Sequence, residues 1–289
     1  MTVTLPDLAA DPTVMATLRR ALREDIGSGD ATTRALIPPR LHAFGQILAR
    51  SSCTVAGTGV ARSVFRQLDQ AMSCDILIPD GTQAGPGDVI MTLRGNAGKM
   101  LTAERVALNF MQRMTGIASL TAQFVDRVKP YRVKILDTRK TTPTLRVFEK
   151  YAVRCGGGTN HRMGLFDMGL LKDNHRFLWR QAGILDLAAA VRRIRETHPG
   201  LPIEVEVENL ADMKTVLKEK PEWIMLDNMT LDDMRACVRI GDGQAKLEAS
   251  GGVTLERVGA IAATGVDAIS IGALTHSAPA ADLSLELSA

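Results

Sequence analysis

The feature that most constrains this chain is an alternation that begins near Val133 and continues toward its C-terminus. Short β-rich runs occur at residues 133–136, 168–171, 203–207, 223–226, 245–249 and 268–271. Stretches with helical spacing lie between several of them, at 184–197, 210–218 and 231–240. Strands that alternate with helices predict βα units and a parallel sheet. Six or seven such units could close into a (βα) barrel, although about eight is usual. The alternative is an open doubly wound sheet, but no GxGxxG follows a strand to support it.

Strand ends carry the polar residues. Asp137-Thr-Arg-Lys140 follows the first run and Lys172-Asp-Asn-His175 the second. Glu206 and Glu208 lie in and just after the third, Asp227-Asn228 follow the fourth, Ser250-Gly251-Gly252 the fifth and Gly272 the sixth. Carboxyl ends of parallel barrel strands open on one face, so these groups should converge on a site. Residues before about 115 read differently, as an α+β domain of mixed topology. A helix is expected at 18–25 and another at 60–68, with strands at 43–51, 75–77 and 89–94. A further helix is expected over 103–114 with Thr102 as its N-cap, and Gly116 as a hinge. The expected domains are thus 1–115 and a catalytic barrel at 116–275, with a tail at about 276–289 free to pack back on the first.

Among the 289 residues, Lys and Arg total 35 and Asp and Glu 32, a net charge of only +3 that argues against a polyanion partner. The four cysteines (Cys53, Cys74, Cys155, Cys237) show no paired metal-site spacing and read as reduced, packed thiols. Neither a secretory leader nor a membrane span is visible, so a soluble, cytoplasmic protein is expected.

Arg139, Lys140, His161, Arg162 and Lys172 form the densest cluster, on either side of the run Gly156-Gly-Gly158. Surface cations are usually interleaved with acids along helix faces, whereas these flank strands. Arginine forks suit carboxylates or phosphates. Arg105 falls in the expected first turn after Thr102, where free N–H groups also favour an anion. Glu206 and Asp227 end neighbouring runs, and adjacent strands lie about 4.8 Å apart. The pair suits either Mg²⁺, directly or through water, or the two hydroxyls of a ribose. Glu204, Glu206 and Glu208 alternate with valines and should share the inward face, where buried acids need partners. Ser250, Gly251, Gly252, Ile271, Gly272 and Ala273 offer backbone amides in the last two loops, the usual phosphate position in barrels, with His276 close behind. His175 and Asn174 read as packing residues.

These segments together resemble the quinolinate phosphoribosyltransferase family. The resemblance rests on Glu24-Asp-Ile-Gly-Ser-Gly-Asp30, Leu136-Asp-Thr-Arg-Lys-Thr-Thr-Pro143, Gly156-Gly-Gly-Thr-Asn-His-Arg162, Lys172-Asp-Asn-His175, Glu204-Val-Glu-Val-Glu-Asn209, Leu226-Asp-Asn228 and Gly272-Ala-Leu-Thr-His-Ser277. It implies phosphoribosyl transfer from phosphoribosyl pyrophosphate to quinolinate with decarboxylation, giving nicotinate mononucleotide, within NAD biosynthesis. It also implies an N-terminal α/β sandwich domain and a C-terminal incomplete (βα) barrel, Mg²⁺ with the pyrophosphate substrate, no organic cofactor, and a homodimer with shared active sites. The quinolinate side would be Arg105 from the partner with Thr138, Arg139, His161, Arg162 and Lys172. The phosphoribosyl side would be Lys140, Glu206 and Asp227, with the phosphate on Ser250, Gly251, Gly252, Ile271, Gly272, Ala273 and His276. Lys140, Lys172, Glu206 and Asp227 are the expected catalytic groups. Two departures stand out: Thr144 where glycine is expected, and Arg176 after Asn174-His175 where isoleucine is usual.

Three rivals remain. One is a molybdenum-transport-associated paralogue with another acceptor, and one a sugar-phosphate lyase with Lys172 as Schiff base. An RNA-binding protein would need stacking aromatics, which the cluster lacks.

Overall fold

A computed structural model describes residues 5–183 and 187–288. The chain forms two compact units. The first comprises the residues up to Ala122, Thr141–Gly157 and Leu274–Ala289, and the second Gln123–Lys140 and Gly158–Ala273.

The first unit opens on α1 (Pro12–Ile26). Asp11 caps it, accepting the Thr13 N–H at 2.7 Å, and Pro12 stands at the helix start, where its missing N–H costs nothing. Val14, Leu18 and Leu22, four residues apart, form its buried stripe. Then come α2 (Ala31–Leu36), β1 (His42–Ala49), β2 (Cys53–Thr54), α3 (Thr58–Leu68), β3 (Ser73–Ile76), β4 (Gln83–Ala84) and β5 (Val89–Asn96). The principal sheet also contains β12 (Leu283–Ser288) and runs β12-β1-β5-β3, antiparallel throughout.

Helix α4 (Ala97–Val128) is longer than the sequence predicts. It starts at Ala97, because the Asn96 side chain accepts the Lys99 N–H at 3.0 Å. Thr102 is therefore not the cap: its hydroxyl reaches the Gly98 carbonyl at 2.9 Å, inside the helix. Arg105 consequently lies beyond the first turn, and the argument from free N–H groups fails there. Gly116 is helix interior rather than hinge, and a Cβ at this position would collide with the Pro279 carbonyl. Met100, Ala103, Ala107, Met111 and Met114 line the buried face. Helix α5 (Arg146–Cys155) completes this unit.

The second unit is built on β6 (Lys134–Leu136), β7 (Gly169–Leu171), β8 (Ile203–Val207), β9 (Trp223–Asp227), β10 (Lys246–Ser250) and β11 (Ala268–Ser270). They form one six-stranded parallel sheet in the order β6-β11-β10-β9-β8-β7. The end strands β6 and β7 do not pair with each other among the described residues, so the barrel is incomplete. Helices α6 (Asp173–Gln181), α7 (Leu187–Thr197), α8 (Leu210–Leu217), α9 (Leu231–Gly241) and α10 (Val258–Ala262) follow or separate the strands, with the short α11 (Ala273–His276) after β11. The start of the helix expected at 184–197 lies outside the described residues. Every residue of β8 is buried, as expected of a parallel strand covered on both faces. All four cysteines are free and buried, the packed-thiol role their spacing predicts. Among the described residues no helix is long and apolar enough to cross a membrane.

Candidate active site

A cavity of about 260 Å³ opens at the carboxyl ends of the strands in the second unit. Thr138, Arg139, Lys140, His161, Arg162, Lys172 and Ser250 line it, with Leu170, Met225, Glu248 and Ser270. Five side chains of the expected cationic cluster thus meet in one hollow. Three larger hollows, of about 720, 710 and 280 Å³, do not gather these five side chains. The chemistry is therefore assigned to the cavity that does.

Asp137 organises the cluster. It follows β6, is fully buried, and accepts the His161 backbone N–H at 2.9 Å and the Asn160 amide at 2.6 Å. A bridge between Leu136 and Thr159 ties the same loop to the strand end. Arg162 is 9% exposed, and its Nη1 donates to the Met168 carbonyl at 3.1 Å. Burial, and then the positive charge of Arg139, lower its pKa. Two guanidinium groups lining one cavity favour an anion within it.

Lys172 closes β7 and begins α6, and its Nζ lies 3.5 Å from Glu206 Oε2. His175 accepts the Lys172 N–H at 3.1 Å, so its role is to cap α6 and fix the lysine's backbone. Burial pushes the Glu206 pKa up, Lys172 pulls it down and Asp227 raises it again. Asp227 ends β9 and accepts the Asn228 amide at 2.7 Å. Glu208 does not join the inward row: β8 ends at Val207 and Glu208 is exposed. Glu206 and Asp227 offer carboxylate oxygens, the donor type that a hard cation such as Mg²⁺ takes.

The loops after β10 and β11 divide the expected phosphate contacts. Gly251 has φ +95°, and a Cβ there would strike the Asn228 amide. Gly252 also has positive φ, and its carbonyl accepts from Arg257 Nη1 at 3.1 Å. The Ile271 N–H is already spent on the Leu136 carbonyl at 2.9 Å, so Ile271 supplies no amide to a phosphate. Gly272 and Ala273 continue the loop. Arg105 and His276 belong to the first unit. Arg105 is exposed on α4, 3.9 Å from Glu104. His276 Nδ1 lies 2.6 Å from the Ser277 hydroxyl.

One functional group escapes the sequence reading. Glu248, on β10 two residues before Ser250 and hence on the same face, is 1% exposed. His161 Nε2 lies 3.3 Å from its Oε2 and 3.0 Å from Glu204 Oε2. Burial opposes charge on His161, but its bonds to Glu204 and Glu248 outweigh it and hold the ring's pKa up at about 10. Burial and then Glu248 push Glu204 up to about 7. The available signal was an acid at alternate spacing within a β-rich run, the same signal that marked Glu204.

Comparison with known proteins decides the family. The model of the quinolinate phosphoribosyl transferase N-terminal domain matches residues 30–115, and that of the C-terminal domain residues 117–286. This chain belongs to the quinolinate phosphoribosyltransferase family. A nicotinate-nucleotide pyrophosphorylase [carboxylating] of Mycobacterium leprae is 41% identical over 277 residues, covering 94% of this chain and 96% of that protein. A probable nicotinate-nucleotide pyrophosphorylase [carboxylating] of Bacillus subtilis is 38% identical over 265 residues, covering 91% and 90%. Among solved structures of the family, NadC from Streptococcus pyogenes superposes with a TM-score of 0.92 at 36% identity, covering 99% of both chains. The chain thus shares the quinolinate phosphoribosyltransferase architecture over nearly its whole length.

Proposed function

We propose that this protein transfers the phosphoribosyl group of phosphoribosyl pyrophosphate to quinolinate and decarboxylates the adduct. The products are nicotinate mononucleotide, pyrophosphate and CO₂, which places the enzyme in NAD biosynthesis. The observation that carries this reading is the convergence of Arg139, Lys140, His161, Arg162 and Lys172 on one cavity. Quinolinate is a pyridine with two carboxylates, and Arg139, Arg162 and Lys172 neutralise them, the guanidinium groups through paired hydrogen bonds. His161 holds the loop that carries Arg162, since its Nδ1 accepts the Arg162 backbone N–H at 2.6 Å.

The ring nitrogen attacks C1 of the ribose as pyrophosphate leaves. Lys140, exposed at the cavity mouth, balances charge on the departing group. Glu206 and Asp227 hold the ribose hydroxyls or the Mg²⁺ that enters with the pyrophosphate substrate. Ser250 and the amides of Gly251 and Gly272 receive the 5′-phosphate. The alkylated ring is a pyridinium, which accepts the electrons left when the 2-carboxylate departs. The substrate is then its own electron sink, and no organic cofactor is required.

Arg105 of a partner subunit completes the quinolinate side, which makes the working enzyme a homodimer. The test is incubation with quinolinate, phosphoribosyl pyrophosphate and Mg²⁺, following CO₂ and nicotinate mononucleotide. Arg105→Ala and Arg139→Ala proteins, each inactive, should recover activity when mixed. A mixture without activity would refute the shared site.

A further inference from the structure

Lys172 brings a cation to the cavity, yet the helix it begins has little apolar anchorage. None of the described residues of α6 is buried, and Phe177 and Leu178 are 59% and 64% exposed. A nine-residue helix gains too little from its own backbone bonds to hold one place unaided. Its first turn is nevertheless tight. The Lys172 N–H donates to His175 Nδ1 at 3.1 Å, and the Arg176 N–H donates to the Lys172 carbonyl at 3.0 Å. Where that turn goes, Lys172 goes with it.

Arg176 ties the turn to the neighbouring βα unit. Its Nη2 donates to Asp212 Oδ2 on α8, and the two side chains are 11% and 26% exposed, so the pair is only weakly screened by salt. Asp212 is itself fixed. Its N–H donates to Asn209 Oδ1 at 2.9 Å, which caps α8, and Asn209 Nδ2 donates to Asp212 Oδ2 at 3.2 Å. Asn209 follows the end of β8, the fully buried strand that carries Glu206. A ring of contacts thus runs from Glu206 along β8 to Asn209, Asp212 and Arg176, and back through the first turn of α6 to Lys172. It closes where Lys172 Nζ lies 3.5 Å from Glu206 Oε2. Arg176 is not among the described residues that line the cavity, so any effect it has on substrate passes through this ring.

We propose that Arg176 is a positioning residue for quinolinate: through Asp212 it holds α6 so that Lys172 stays at the cavity wall. The inference rests on the reading of Lys172 as a contact of a quinolinate carboxylate. Without the Arg176–Asp212 pair, α6 must be ordered again each time substrate binds, and that ordering is taken out of the affinity. The pair therefore acts on quinolinate only when Lys172 is there to be placed.

Calorimetric titration with quinolinate reads this without turnover. Arg176→Met removes the charge and keeps much of the side chain's bulk, and Asp212→Asn keeps the backbone N–H that Asn209 accepts. Each should weaken quinolinate binding about fivefold to tenfold, less than the roughly tenfold to hundredfold of a charged hydrogen bond lost outright. Arg176→Lys should stay within about twofold of wild type, because one nitrogen makes the contact and the charge is kept. In a Lys172→Ala background, Arg176→Met should add less than about twofold, since both changes then remove the same interaction. A merely structural role would weaken binding equally with and without Lys172, and that result would overturn the inference. Arg176→Met and Asp212→Asn proteins that both bind quinolinate as wild type does would overturn it too. Wild-type protein that does not take up quinolinate, or a Lys172→Ala protein of undiminished affinity, would instead refute the functional reading beneath it.

Discussion

Glu149→Ala should be among the most damaging single changes in the first unit. Glu149 is 1% exposed on α5, and its Oε1 accepts from Arg113 Nη2 at 2.9 Å and Nε at 3.2 Å. The same carboxylate accepts the Thr142 hydroxyl at 2.8 Å and the Thr142 N–H at 3.0 Å. Arg113 also donates to the Ala278 carbonyl at 2.8 Å and to that of Thr275, so one carboxylate anchors a guanidinium that holds the tail. Breaking a buried pair costs roughly 3–5 kcal/mol, mostly through the charge left behind. Arg113 is 29% exposed and is partly hydrated once freed, which places the cost near the lower end, at about 3 kcal/mol. With a urea slope of about 1–3 kcal/mol per molar, the midpoint should fall by roughly 1 M or more. Equilibrium unfolding followed by circular dichroism reads this directly. A Glu149→Leu, Arg113→Met double variant should recover much of the loss, because neither charge is then stranded. A single-variant shift below about 0.3 M, or a double variant as unstable as the sum of its singles, would refute the reasoning.

Thr144 has φ +68°, a left-handed conformation costly for a β-branched residue, and Thr144→Gly should raise stability. Strain relief of roughly 1–3 kcal/mol, less the extra chain entropy of glycine, leaves a gain of about 0.5–1 kcal/mol, readable by calorimetry. The folded cluster holds protons more tightly than the unfolded chain, with Glu204 raised to about 7 and His161 to about 10. Its contribution to stability should therefore be largest in mild acid and fall as pH rises through about 7 toward 10. A Glu204→Gln, Glu248→Gln variant should show a flatter profile over that range, and an unchanged slope would contradict the assignment. Arg162→Lys should raise the quinolinate KM by about tenfold to a hundredfold, since one charged hydrogen bond of a paired set is worth roughly 1.5–3 kcal/mol. Steady-state kinetics with phosphoribosyl pyrophosphate saturating gives the comparison.

The second unit was the more legible part of the chain. Its strands announce themselves by apolar runs that end in Asp137, Lys172, Asp227 or Ser250, and the register of parallel strands does the rest. The cations converge because their backbone positions follow strand ends, a local property. What the sequence concealed depends on distant contacts. Gly116 looks like a hinge until Pro279 is seen to occupy the space a side chain would need. Asn96, just past the expected strand at 89–94, caps a 32-residue helix that the sequence reading starts only after Thr102. β12 has no partner signal of its own and finds β1 across more than two hundred residues of chain. Helix α5 was missed because Thr144 and the glycines after Cys155 frame it as loop. Glu248 was hidden by its neighbours Leu247 and Ala249, and only its distance to His161 shows that it belongs to the site.

Calorimetric titration of quinolinate against nicotinate, which lacks the 2-carboxylate, tests most directly whether this cavity is built for a dianion. One quinolinate should bind per chain, at least about tenfold more tightly than nicotinate, and Lys172→Ala should abolish most of that preference. Equal affinity for the two acids, or a preference that survives loss of Lys172, would contradict the account.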